Sequence, residues 1–362
     1  MVVADSAGTS TSSRANGRAT KLRAADGLKL MTEHFGDPNA PAVIFAHGFG
    51  QTRHAWTSTA NALAGAGWLG ITADARGHGD SGWLDSGDYD FAQFVDDLVL
   101  IARTPAQPPV LIGASMGGLL GLNAQAEYRP FRAMVLVDVT PRWENAGVER
   151  IMAFMRAHPN GFASIDEASD AVSNYLPHRT EKKSPERLRQ LLVRADNGRL
   201  RWHWDPRLLD RVAKDSERHQ SALLDAARRI DVPTLLISGE RSDIVSESTI
   251  AEFMHLVPHA EHVRVARATH MIVGDENEAS AEQPQSKVGF ARTGWAEQQN
   301  AGAITRHATA MEPGAGTHHV KSARQSNDAP HAPVVAGTGP PGTIWERPAR
   351  MEACTQNPVT SL

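Results

Sequence analysis

The run Val110-Leu111-Ile112-Gly113-Ala114-Ser115-Met116-Gly117-Gly118 constrains this chain more than any other segment. An apolar stretch suited to a buried strand enters Gly-x-Ser-x-Gly, and a helical stretch, Leu119–Ala126, leaves it. This is the strand, sharp turn and helix of a nucleophile elbow. The turn forces its serine into an unfavourable backbone conformation. Side chains at Gly113 or Gly117 would crowd the neighbouring strand and helix. The Ser115 hydroxyl is thereby presented at the carboxyl end of a sheet. The helix behind it points free N–H groups toward any anion formed there.

Two further strand ends supply partners. Val232–Ser238 reads as a buried strand followed by Gly239-Glu240-Arg241-Ser242-Asp243, and Glu261–Val265 as another followed by Ala268-Thr269-His270. Serine, acid and histidine occur in that chain order, the order of a nucleophile, an orienting carboxylate and a general base. A serine hydroxyl needs a neutral imidazole to take its proton, and the imidazole needs a carboxylate to hold its tautomer. Asp243 is assigned the acid role and His270 the base. Asp138, at the end of the strand Ala133–Asp138, is the reserve acid. Pro41–Ala46 is a short apolar strand entering His47-Gly48-Phe49-Gly50. That glycine-rich turn predicts an oxyanion hole from the N–H groups of Phe49 and Met116, with both side chains candidates for the acyl pocket. His47 then braces the turn, and His78 belongs to turn structure. No pair of histidines with a nearby acid shows metal-ligand spacing, so no metal and no cofactor is expected.

These pieces, with Asp74-Ala75-Arg76-Gly77-His78-Gly79-Asp80-Ser81, resemble the α/β-hydrolase superfamily over roughly residues 21 to 275. Within it the chain is most similar to actinobacterial hydrolases described as non-haem peroxidases. The Arg76–Ser81 turn is also similar to that of epoxide hydrolases and haloalkane dehalogenases. Those enzymes use an aspartate nucleophile, and Ser115 in its place points to acyl transfer. The resemblance implies an α/β-hydrolase fold: a mostly parallel sheet flanked by helices, with an inserted cap. It also implies a serine hydrolase acting on a carboxylic ester, with a cofactor-free haloperoxidase (perhydrolase) or C–C bond hydrolase as alternatives. A folded, non-catalytic binding protein disabled by its tail is the alternative of another class.

Residues 1–20, rich in Ser, Thr, Ala and Gly, read as a flexible arm. Residues 21–140 and 230–275 alternate strand and helix signals and form the core. Residues 141–229 read as an all-helical cap, with helices near Val148–His158, Ser164–Tyr175, Pro185–Arg194 and Pro206–Arg228. The cap carries Trp143, Trp202 and Trp204, with Met152, Phe154 and Met155 nearby, an apolar roof suited to an apolar acyl or aromatic small-molecule substrate. Residues 276–362 change character. They contain one leucine and eight prolines, with no sustained period, where the superfamily places a closing amphipathic helix. A disordered tail is expected, and a reading-frame shift near residue 280 or a foreign extension accounts for so abrupt a change.

The whole chain has 362 residues, 41% hydrophobic and 22% charged, with formal net charge −4. That suits a sizeable core, and no basic patch suggests nucleic acid. The single cysteine, Cys354, excludes an intrachain disulfide. With no signal-peptide pattern at the amino terminus and no apolar run of ~20 residues, the expected location is the cytoplasm. The oligomeric state is left open.

Overall fold

A computed structural model describes residues 17–176, 185–210, 216–266 and 268–270 of the chain. The predicted tail, residues 276–362, lies outside the described residues, as do all but a few residues of the predicted arm.

Ten strands and eight α-helices are described. Strands β1 (Arg18–Arg23), β2 (Lys29–Phe35), β3 (Ala42–Ala46), β4 (Leu69–Asp74), β5 (Val110–Ala114) and β6 (Ala133–Val137) come first. They are interleaved with a 3₁₀ turn at Arg53–Trp56 and helices α1 (Thr57–Gly65), α2 (Phe91–Ala102) and α3 (Met116–Tyr128). The cap follows: α4 (Asn145–Arg156), α5 (Ile165–Tyr175), α6 (Pro185–Arg189), and strands β7 (Leu192–Arg194) and β8 (Leu200–Trp202). Helix α7 (Ser216–Ala227), β9 (Thr234–Gly239), α8 (Glu247–Leu256) and β10 (Glu261–Val265) complete the series.

Eight strands form one sheet in the order β1-β2-β4-β3-β5-β6-β9-β10. The pairs β1–β2 and β2–β4 are antiparallel and all others parallel. Strands β3, β5, β6 and β9 are apolar along nearly their whole length, because a parallel sheet is covered on both faces. Alternation still sorts the residues. Ile44, Leu111, Leu136 and Leu236 face a layer containing Phe94, Leu98, Leu120, Leu223 and Phe253, from helices α2, α3, α7 and α8. Val43, Phe45, Ile112, Val135 and Ile237 face Trp56, Ala60 and Leu63 from the 3₁₀ turn and α1. Each side chain so buried contributes about 1.5–3 kcal/mol.

Two expectations are corrected. β1 begins at Arg18, inside the predicted flexible arm, because its backbone pairs with β2 from Arg18↔His34 to Arg23↔Lys29. The cap is not all helical. Helix α6 stops at Arg189, and β7 and β8 form a hairpin where a longer helix was expected. Its turn carries Asn197-Gly198, with Gly198 at φ 77°, a hairpin-turn dipeptide that local reading should have caught. Strand β4 and helix α8 are additional to the predicted elements. Among the described residues, no helix is long and apolar enough to cross a membrane.

Candidate active site

The sheet places the site by register. Ala114 at the end of β5 pairs with Val137 at the end of β6, and Val137 with Ile237 in β9. The residues that follow, Ser115 and Asp138, therefore leave the sheet side by side. Ser115 has φ 47° and ψ −117°, outside the regions open to most L-residues. What holds it there is its N–H, which donates to Val137 O at 3.1 Å, and the helix that starts at Met116. The elbow glycines are steric requirements. A Cβ on Gly113 would lie 2.7 Å from the Gly117 carbonyl carbon, and one on Gly117 would collide with the backbone of Ala46.

The Ser115 hydroxyl faces His270 Nε2 at 3.2 Å, and His270 Nδ1 lies 2.8 Å from Asp138 Oδ2. A carboxylate can only accept, so Nδ1 carries the proton and Nε2 is left to accept from Ser115. Asp138 is 1% exposed. Besides His270, its oxygens accept from the Gly239 N–H at 2.8 Å and the Ser242 hydroxyl at 2.6 Å. Like Ser115 it sits at positive φ, 49°, and its N–H donates to Ile237 O at 2.7 Å. A buried carboxylate supplied with donors on both oxygens is the environment such a charge requires.

The assignment of Asp243 as His270's partner is therefore corrected. Its carboxylate instead pairs with Arg150 of the cap helix α4 at 2.8 Å. Both aspartates satisfy the chain order serine–acid–histidine, so order alone could not separate them. The register does: Asp138 leaves β6 beside Ser115, whereas Asp243 lies four residues past the end of β9. Ser242, which bonds to Asp138, carried no signal in the sequence.

The loop expected to form the oxyanion hole is braced by three polar side chains. The His47 Nδ1–H donates to Gly48 O at 2.8 Å, while the Ala75 N–H donates to His47 Nε2 at 3.0 Å. The Gly50 N–H donates to His78 Nε2 at 3.2 Å, and His78 Nδ1–H donates to Arg76 O at 3.0 Å. Gln51 Oε1 accepts from the Gly48 N–H at 3.1 Å. Each histidine thus uses one nitrogen as donor and the other as acceptor, which only the neutral ring can do. Burial holds both imidazoles below their usual range; for His78 burial, and then the neighbouring His47, push it down to about 3. Gly48 lies against Ser115: a Cβ there would be 3.4 Å from Ser115 Cβ. Met116 is the first residue of α3, so its N–H has no partner within the helix.

A cavity of about 360 Å³ opens over Ser115 and His270. Its roof comes from the cap and includes Phe154, Tyr175, Trp202 and Trp204. Its floor along residues 51–58 is more polar, with Gln51, Thr52, His54, Thr57 and Ser58. Phe49 lines it as expected. Two expected pocket residues do not. Met116 turns toward Leu98 and Leu120 on the other side of the elbow, and Trp143 packs with the large core cluster. Phe154 and Met155 line it as expected, and Tyr175, which was not expected, stacks on Phe154 with ring centroids 4.2 Å apart. The predicted helix ending at Tyr175 gave no sign of the cavity, and only the packing of α5 against α4 turns that ring toward it.

Comparison with known proteins agrees with this architecture. A family model for the alpha/beta hydrolase fold matches residues 41–277. The 3-hydroxybutyrate-oligomer hydrolase of Cupriavidus necator is 31% identical over 261 residues, covering 67% of this chain and 88% of that protein. The esterase Rv0045c of Mycobacterium tuberculosis is 28% identical over 256 residues, covering 67% and 81%. In structure, an E-2-(acetamidomethylene)succinate hydrolase superposes with a TM-score of 0.65 at 22% identity, covering 81% of this chain and 99% of its own, a likeness of fold. With its elbow, its parallel sheet and its inserted cap accounted for, the chain belongs to the alpha/beta-hydrolase fold family.

Proposed function

We propose that this protein is a serine hydrolase that cleaves carboxylic esters through an acyl-enzyme, with Ser115, His270 and Asp138 as its triad. The observation that carries the reading is the unbroken relay from the Ser115 hydroxyl through both nitrogens of His270 to Asp138, at 3.2 and 2.8 Å. Its relatives among hydrolases and esterases add support at the level of reaction class.

In this mechanism the Ser115 oxygen attacks the acyl carbon as His270 Nε2 takes its proton. The imidazolium is stabilised by Asp138, which stays ionised behind its hydrogen bonds. The N–H groups of Phe49 and Met116 receive the oxyanion, and the neutral His47–His78 brace keeps the first of them in place before charge develops. His270 then gives its proton to the leaving alcohol. Water, deprotonated by the same nitrogen, releases the acid.

The aromatic roof favours an apolar or aromatic acyl group. The polar floor favours a second substrate class, esters whose acyl chain carries a hydroxyl, and the activity named for the Cupriavidus relative has that character. The deciding experiment is reaction with a fluorophosphonate followed by intact-mass analysis. One adduct is expected, absent in Ser115→Ala. An adduct that persists in that variant overturns the assignment. Parallel rates on butyrate and 3-hydroxybutyrate esters of p-nitrophenol then rank the two acyl classes.

A further inference from the structure

We propose that Asp243, acting through Arg150, is a positioning residue that fixes the roof of the acyl pocket. The proposal rests on the reading of the Ser115 cavity as an acyl site. Neither Asp243 nor Arg150 lines that cavity.

Among the described residues, two attachments of the cap to the core bear on the roof. At the hairpin end the attachment is backbone: the Gly79 N–H donates to His203 O and the Asp205 N–H to Gly77 O, both at 2.8 Å. The buried Asp205 carboxylate also accepts from the Tyr89 hydroxyl at 2.7 Å. At the α4 end one backbone bond, Glu144 N–H to Ile244 O at 2.9 Å, brings the helix onto the turn Ser242–Val245. Gly147 lies so close that an added Cβ would strike the carbonyl of Asp243. One helical turn further, Arg150 meets the Asp243 carboxylate.

Arg150 does more than pair. Its guanidinium carbon lies 5.3 Å from the ring centroid of Tyr175. Tyr175 stacks on Phe154, and Phe154 meets Trp202 at 5.9 Å. Three of the roof's aromatic rings are thus ordered from a single cation, and the cation is held by Asp243. The same turn reaches the other way. The hydroxyl of Ser242 donates to Asp138, and the N–H groups of Ile244 and Val245 donate back to it at 3.3 and 3.1 Å. One turn therefore holds the roof from Asp243 and the acid from Ser242. Removing the ion pair loosens the first without touching the second.

The test uses the full chain. Asp243→Asn, Asp243→Ala, Arg150→Met and the double variant Asp243→Ala/Arg150→Met are compared on p-nitrophenyl acetate and p-nitrophenyl benzoate, with pH–rate profiles. Amide hydrogen exchange over residues 145–175 is followed in parallel. The pair is partly exposed, Arg150 more than Asp243, so the expected rise in KM for the benzoate is about fivefold at most. The acetate should change less than about twofold, since it fills little of the pocket. The double variant should lose no more than either single one, because both remove the same contact. Exchange should rise in α4 and α5, and the pH profile should not move. Unchanged exchange with equal effects on both esters overturns the latch and leaves the proposed function standing. A collapse of kcat on both esters with a displaced pH profile in Asp243→Asn overturns it too, and takes the Asp138 assignment with it. If the wild type cleaves neither ester, the proposed function fails, and unaltered exchange in the variants would still sink the latch.

Discussion

The carboxyl edge of the sheet and the cap close the same cavity by opposite means. At the edge, Ser115 and Asp138 are held at positive φ by backbone hydrogen bonds from neighbouring strands, and Asp138 has donors on both oxygens. In the cap, backbone bonds anchor the two ends, but the roof itself is made of stacked rings beside the partly exposed Arg150–Asp243 pair. Backbone bonds and strained dihedrals leave little room to adjust, while ring contacts are soft and roughly non-directional. The contrast assigns chemistry to the edge and selectivity to the cap.

The sharpest way to break that division is at the edge. Ser115→Ala should lower kcat by about 10⁶-fold while leaving the fold intact, measured with active-site-titrated protein. A residual rate within a hundredfold of wild type would move the nucleophile elsewhere. The next largest effect belongs to the acid. Asp138→Asn should cost about 10⁴-fold in kcat through the wrong tautomer of His270, while Asp243→Asn costs a few-fold on bulky substrates only. The reverse ranking would restore Asp243 to the acid role.

A third experiment probes the brace behind the oxyanion loop. His78 is neutral when folded down to about pH 3, but in the unfolded chain it titrates near 6.5. Below 6.5 the unfolded state binds the extra proton, so the stability contributed by the buried ring is complete above that pH. It should fall by about 1.4 kcal/mol per pH unit as pH drops toward 3. His47 adds in the same direction. Urea midpoints from pH 7 to 4 measure it, and His78→Gln should flatten the slope. A slope unchanged in that variant would remove His78 from the account. The smallest effect is expected at the roof. Trp204, 5% exposed and 6.1 Å from the Phe49 ring, should on change to Phe raise KM for aromatic esters several-fold with kcat nearly unchanged. A larger fall in kcat than in affinity would mean that the cap also orders the chemistry.

The elbow, the glycine-rich turn after β3 and the approach of His270 to Ser115 rest on segments legible in the chain, because each is a local device. Ser115 needs glycines two residues either side whatever surrounds it, and the apolar stretches before residues 47, 115, 138 and 243 announce buried parallel strands on their own. The cap hairpin has a local signal too, Asn197-Gly198, set against a helical pattern on either side that competes with it. Trp143 and Met116 illustrate the limit on the pocket. A large apolar side chain fits a core and a cavity wall equally well, and sequence cannot say which way it turns.

By itself, then, the sequence determined the fold and singled out Ser115 and His270 as candidates, since steric demands at a strand-to-helix turn and the burial of both sheet faces are written residue by residue. The tertiary structure alone decided which carboxylate meets His270. Asp138 and Asp243 follow neighbouring strands in an order that suits either one. Only the register of β5 on β6, which sets Asp138 beside Ser115, and the approach of α4, which draws Asp243 onto Arg150, separate a carboxylate for His270 from one that holds the cap.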